Sequence, residues 1–122
     1  MRYAILVLAF AASAAAADPT GAGWRGGWSS DSSGHSGPMR ASIAEVPGGY
    51  RILFAGRFAK VVPFAYRATL HEVGRSGDAV YLTAERHLPI FGTFRTDAVL
   101  TPQTLEATYD SRVDRGRFLL KR

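Results

Sequence analysis

Apolar and polar side chains alternate with a period of two along this chain from Pro38 onward, as in the segment Met39-Arg-Ala-Ser-Ile43. Successive side chains of an extended strand point to opposite faces of a sheet, so this period predicts half-buried antiparallel strands. No 3.6-residue periodicity of useful length interrupts the pattern. The sequence therefore predicts an all-β domain.

Turn residues divide this pattern into about eight strands. Pro47-Gly48-Gly49, 74–78 and 114–116 are predicted turns, and 31–37 is a predicted loop. Because every connection is short enough for a hairpin, we expect a meander that closes into a small barrel, with a two-sheet β-sandwich as the alternative. The predicted strands are 24–29, 39–45, 50–58, 64–73, 79–86, 91–100, 104–110 and 117–121.

The first 17 residues have a different character from the rest. Arg2 precedes an apolar run that is too short to span a bilayer, and Ala15-Ala16-Ala17 then precedes Asp18-Pro19. This combination is typical of a secretory signal peptide with an A-x-A cleavage site. We expect cleavage after Ala17, a single domain over 18–122, and a secreted or periplasmic product that does not span the membrane.

Cysteine is absent and arginine is abundant. Without cysteine, stability must come from a closed apolar interior and not from disulfides. The net charge is +5, and arginine supplies 13 of the 15 basic residues. Such an excess draws a protein toward anions. The basic residues are scattered singly, however, so no nucleic-acid-binding tail is predicted.

Several arginines fall on the outward phase of the predicted strands. If their strands are neighbours, they form a basic stripe that can hold an anionic polymer of the cell envelope. Asp97, Glu85 and Asp110 would partly neutralise it through cross-strand pairs. An exterior of interspersed charges is the alternative. The outward arginines are Arg51, Arg57, Arg67, Arg95 and Arg117.

A set of aromatic side chains falls on the inward phase. In a barrel with an internal cavity these rings would line it and bind a small apolar ligand, with the phenol hydroxyls fixing a polar group. The candidate ligand-binding residues are Tyr50, Phe54, Tyr66, Phe94 and Tyr109. No cofactor is expected.

The segment from Ser29 to Pro38 contains serines, Asp31 and His35. A serine, a base and an acid must converge in one hydrogen-bonded line, which neighbours on one loop cannot easily do. We therefore assign no catalytic residue and expect His35 to donate a hydrogen bond to a nearby carbonyl. The histidines lack the spacing of metal ligands, so no metal site is predicted. A small hydrolase or metal-dependent enzyme centred on His35 remains the enzymatic alternative.

The Gly23-Trp24 and Gly27-Trp28 elements, together with a basic residue in the final strand, resemble the end closure of calycin barrels such as lipocalins and avidins. In those families a first-strand tryptophan packs under a last-strand arginine in a cation–π contact that seals the barrel base. The resemblance implies that Trp24 or Trp28 pairs with Arg117 or Arg122.

A wider set of motifs is similar to a family of small exported bacterial β-rich proteins. This similarity implies a secreted β-domain and no particular activity, with glycines and aromatics at turn and packing positions. The favoured function is non-enzymatic binding or a cell-envelope role. The motifs are Trp24-x-Gly26-x-Trp28, Gly34-His35-x-Gly37-Pro38, Phe54-x-Gly56-Arg57-Phe58, Pro63-Phe64-x-Tyr66, Phe91-Gly92-x-Phe94 and Asp114-x-Gly116-Arg117-Phe118.

Overall fold

The chain folds into a closed eight-stranded antiparallel barrel. The computed structural model describes residues 18–58, 61–89 and 92–122, so the predicted signal peptide lies outside the described residues. Each strand pairs with the next along the chain, and β8 pairs with β1 to close the sheet. The strands are β1 (Gly21–Ser30), β2 (Ser36–Val46), β3 (Gly49–Phe58), β4 (Val62–Ser76), β5 (Ala79–Leu88), β6 (Gly92–Leu100), β7 (Thr104–Asp110) and β8 (Arg115–Lys121).

The predicted meander and barrel are confirmed, and the sandwich alternative is wrong because one continuous sheet closes on itself. Within the described part of the chain, no helix is long and apolar enough to cross a membrane. The predicted start of the sixth strand at Phe91 lies outside the described residues.

Most strands extend further than predicted, and β1 already starts at Gly21. β2 starts at Ser36, β4 continues to Ser76, and β8 starts at Arg115. The β4–β5 hairpin needs only Gly77 and Asp78, and Gly77 supplies the positive φ of 61° that such a turn favours. The predicted turns were too long because Gly74 and Gly116 lie within strands, where glycine is unusual.

Inward-facing side chains of all eight strands fill the interior, except for a cavity toward one end. Removing each large apolar side chain from water stabilises the fold by about 1.5–3 kcal/mol. This filling compensates for the lack of disulfides. The largest fully buried side chains include Trp24, Ile52, Phe54, Leu70, Leu82, Leu100, Leu105 and Leu120.

The two ends of the barrel differ. We call the end that holds the β2–β3, β4–β5 and β6–β7 turns the base, and the end that holds the β1–β2 and β7–β8 loops the mouth. At the base, Trp24 is fully buried, and its indole Nε1 donates a hydrogen bond to Pro19 O at 3.1 Å. The guanidinium carbon of Arg122 lies 5.7 Å from the Trp24 ring centre. The guanidinium also donates to Asp18 O at 2.5 Å and to Thr20 O at 2.6 Å.

Candidate functional site

A cavity of about 400 Å³ lies toward the mouth of the barrel. Eight of its ten lining residues are aromatic, and only Asp114 carries a charge. A concave, mostly apolar site with few polar groups is the usual form of a small-molecule site. The lining residues are Trp28, Met39, Phe54, Phe58, Phe64, Tyr66, Phe94, Tyr109, Asp114 and Phe118.

Five of these side chains make a closed circuit of ring contacts, which we call the aromatic girdle. Its members come from five strands, so the circuit exists only in the closed barrel. Aromatic pairs at such distances contribute about 0.5–1.5 kcal/mol beyond their burial. The girdle therefore stabilises the walls of the cavity. The centroid separations are Phe54–Tyr66 6.2 Å, Tyr66–Phe94 5.6 Å, Phe94–Tyr109 5.7 Å, Tyr109–Phe118 5.1 Å and Phe118–Phe54 5.1 Å.

A second aromatic group lies nearer the mouth. Trp28 stacks on Phe58 and meets Phe64 edge-on, each with centroids 6.0 Å apart. The Trp28 indole Nε1 donates a hydrogen bond to Arg57 O at 3.2 Å, which satisfies its one polar atom. Phe58 keeps 42% of its surface exposed. This group therefore offers apolar surface to both the cavity and the solvent.

Three aromatic side chains of the cavity lie over a glycine on the neighbouring strand. An added Cβ would lie 2.9 Å from Trp28 Nε1 at Gly37, and 2.5 Å from the Tyr109 hydroxyl oxygen at Gly116. Glycine is required at these two positions because a methyl group would also lie 2.4 Å from Arg57 O at Gly37 and 2.0 Å from Ser29 O at Gly116, and these are backbone atoms. The pairs are Trp28 with Gly37, Phe64 with Gly56, and Tyr109 with Gly116.

The polar groups of the cavity centre on Asp114. Ser30 Oγ donates a hydrogen bond to Asp114 Oδ1 at 2.5 Å, and the Tyr109 hydroxyl donates to Oδ2 at 3.2 Å. Burial, followed by the Asp114 charge, raises the pKa of Tyr109 to about 12. Sequence reasoning missed Ser30 and Asp114 because they are 84 residues apart and each lies beside a turn or loop.

Thr96 is a buried polar residue, only 1% exposed. Its Oγ1 has no hydrogen-bond partner among the residues that the structure describes. The residue lies opposite Tyr109 in the β6–β7 pair. Burial raises the pKa of the Tyr66 phenol, and the Thr96 hydroxyl partly offsets that rise. An unpaired buried hydroxyl costs about 1–3 kcal/mol. Because Thr96 is not among the lining residues of the cavity, this cost bears on the stability of the barrel.

Of the five candidate ligand-binding residues, Phe54, Tyr66, Phe94 and Tyr109 line the cavity. Tyr50 lies near the start of β3, toward the base, and is not part of the lining. Its side chain is buried and belongs to the core.

The residues considered for barrel closure lie in different places. The structure brings Trp24 and Arg122 together at the base, whereas Trp28 lies at the mouth. Arg117 is on the outer surface, 3.8 Å from Asp31.

His35 also lies at the mouth, where its ring meets Phe58 edge-on with centroids 5.2 Å apart. The backbone carbonyl of His35 accepts a hydrogen bond from Ser30 N at 2.8 Å, and its backbone N–H donates to Ser33 Oγ at 3.3 Å. The described part of the chain contains no group of three or more histidine, cysteine, aspartate or glutamate residues placed to hold a metal ion.

The outward arginines do not form one stripe. Arg95 lies 3.0 Å from Asp97 and 3.5 Å from Glu85, and the pairing holds the pKa of Asp97 below its usual value, chiefly through the Arg95 hydrogen bond. Arg51, Arg57 and Arg67 stand on β3 and β4 instead.

Comparison of the chain with protein-family models, curated proteins and solved structures finds no match in any of the three.

Proposed function

We propose that this is an exported, non-enzymatic binding protein that holds a small, largely apolar ligand in the cavity at the barrel mouth. The observation that carries the proposal is the cavity of about 400 Å³ lined almost entirely by aromatic side chains. Ligand sites of drug-sized molecules typically measure about 300–1,000 Å³. Export is supported by the signal-like sequence of the first 17 residues.

The chemistry of the lining supports a ligand with a broad apolar body and few polar atoms. Aromatic side chains supply large, rigid contact surfaces at low conformational cost. Asp114 and Tyr109 provide a hydrogen-bonded polar pair at one side of the cavity. A ligand that hydrogen-bonds one of these groups while covering the rings gains both orientation and affinity.

A neutral fluorescent probe, N-phenyl-1-naphthylamine, tests the proposal on the chain that starts at Asp18. Phe58→Ala and Tyr81→Ala form a matched pair, because both rings are 42% exposed but only Phe58 lines the cavity. We expect Phe58→Ala to weaken binding about tenfold, which corresponds to about 1.4 kcal/mol of lost contact. Tyr81→Ala should leave affinity within about twofold.

Two results would overturn the proposal. One is the absence of saturable binding by the probe, and also by a panel of apolar compounds of similar size. The other is an equal loss in both variants, which would place the probe on the outer surface. Far-UV circular dichroism of each variant confirms that the barrel is intact.

A further inference from the structure

The outer surface of the barrel is divided into two walls of different charge. On β1 to β4, the positions that alternate with buried residues carry five exposed arginines and, within those described strands, no acidic residue. Glu45 and Glu72 belong to these strands but occupy positions in phase with the buried residues. Glu72 is paired with Arg75 at 2.9 Å. We call the five residues the arginine wall: Arg25, Arg40, Arg51, Arg57 and Arg67.

The opposite wall, on β5 to β8, has mixed charge. Arg95 bridges Glu85 and Asp97, and Arg115 lies 3.8 Å from Asp110. Interspersed charges of both signs are what solubility alone favours. The absence of outward carboxylates from the described strands β1 to β4 is therefore a property of one side of the molecule and not of the whole surface.

The strand register places the arginines of the wall close together. Arg25 stands directly opposite Arg40 in the β1–β2 pair, and Lys121 flanks Arg25 from β8. Arg40 is diagonal to Arg57, and Arg51 is diagonal to Arg67. Opposed side chains have Cβ atoms about 4.5–5.5 Å apart and diagonal ones about 7–8 Å. Like charges at these separations destabilise a sheet, and an anionic partner would remove that cost.

The shape of the wall favours a flexible partner over a flat one. Neighbouring strands of an eight-stranded barrel are turned by roughly 45° about the axis, so the wall from β1 to β4 spans roughly 135°. A planar membrane surface cannot touch Arg25 and Arg67 at once on such a curve. A linear polymer can follow it. The neighbouring outward side chains of Ser42, Ala55 and Ala65 are small, whereas Leu53, which is 40% exposed, stands opposite Arg67.

The chemistry of the wall suits phosphate groups. Arginine matches phosphate oxygens, as it does carboxylate oxygens, with two parallel hydrogen bonds, whereas lysine acts as a point charge. The outward positions of the described strands β1 to β4 hold no Phe, Tyr or Trp on which nucleic-acid bases could stack. The contact would therefore be made to the polymer backbone alone.

We propose that the arginine wall binds a flexible linear polymer of phosphate groups. This site is independent of the cavity, which opens at the mouth and contains none of the five arginines. The two proposals can therefore fail separately.

Long-chain inorganic polyphosphate is the probe, and its affinity is measured by titration calorimetry between 50 and 300 mM salt. The double variant Arg25→Gln/Arg40→Gln removes two charges from the arginine wall. The control Arg115→Gln/Arg117→Gln removes the same charge from β8 on the mixed wall. We expect the first variant to weaken binding about tenfold or more, with the salt slope reduced by about one unit for each lost contact. The control should change affinity by about twofold or less.

Three results would overturn the proposal. One is the absence of polyphosphate binding at 50 mM salt. Another is an equal loss in the two double variants, which would mean that only net charge matters. The third is tighter binding, per accessible phosphate, to vesicles of anionic phospholipid than to polyphosphate, because it would favour a flat lipid surface. Thermal melts establish that both variants fold, as expected for exposed side chains.

Discussion

The Arg122 guanidinium lies over the Trp24 indole, with its carbon 5.7 Å from the ring centre. It also donates hydrogen bonds to Asp18 O and Thr20 O, in the segment that leads into β1. We predict that Arg122→Ala lowers the free energy of unfolding by about 1–2 kcal/mol, because a cation–π contact and two hydrogen bonds to carbonyls are lost together. Urea unfolding measures the change. Lys121→Ala, at the neighbouring exposed position, is the control, and an equal loss there would contradict the assigned contact.

Gly116 leaves no space for a side chain. An added Cβ would lie 2.0 Å from Ser29 O, a backbone atom. We expect Gly116→Ala to destabilise the barrel by about 1–3 kcal/mol, because the β1–β8 pair would have to separate. Gly74→Ala is the matched control, since its nearest neighbour would be Tyr81 Cδ2 at 3.8 Å. Thermal melts of both variants check the prediction, which is wrong if the two substitutions have the same effect.

Stability should fall in alkaline solution because of Tyr109. Its pKa rises from 10.0 to about 12 on folding, chiefly through burial. The unfolded chain therefore loses this proton first, so the contribution is intact below about pH 10 and is lost as the pH rises toward 12. Chemical unfolding between pH 9 and 12 measures the decline. Tyr109→Phe should make it shallower, and an unchanged slope would contradict the assignment.

The unpaired hydroxyl of Thr96 predicts a stabilising substitution. Thr96→Val keeps the shape and removes a buried polar atom that has no partner among the described residues, so we expect a gain of about 1 kcal/mol. Thr83→Val is the control, because Thr83 Oγ1 donates to Asp97 Oδ1 at 2.8 Å, and its loss should destabilise by about 0.5–1.5 kcal/mol. Urea titration compares the two. A loss of stability in Thr96→Val would show that the hydroxyl is satisfied, by water or by Tyr66.

The strands could be predicted from the sequence because alternation is a local property. Segments such as Met39–Ile43 show which side chains face inward without reference to the rest of the chain. The ends of the strands were harder to place. Gly74 and Gly116 have the composition of turns, yet each serves in a strand, Gly116 by allowing another backbone to approach closely.

The site could be predicted only in part. Phe54, Tyr66 and Tyr109 were identifiable as inward-facing rings, but the phase of a residue does not tell how far along the barrel it lies. Tyr50 has the same phase as Phe54, yet it lies four residues closer to the base, a distance of about 13 Å along a strand. The Ser30–Asp114 hydrogen bond could not be predicted because it depends on strand closure.

The distribution of the arginines was also beyond sequence reasoning. Alternation shows that Arg40 and Arg95 both face outward, but their neighbours depend on register. Pairing places Glu85 beside Arg95 and Arg25 beside Arg40. Opposite electrostatic environments therefore follow from the same local pattern.

The β1–β8 pair, or seam, closes the barrel and is the place where misassembly is most easily started. Seven of the strand pairs join sequence neighbours, whereas the seam brings Trp28 opposite Phe118. Such distant partners meet late in folding, since loop-closure entropy opposes them. Until then β1 and β8 each present an unsatisfied edge, which another copy can complete by strand exchange. We therefore expect substitutions that weaken this one junction to favour domain-swapped oligomers over the closed barrel.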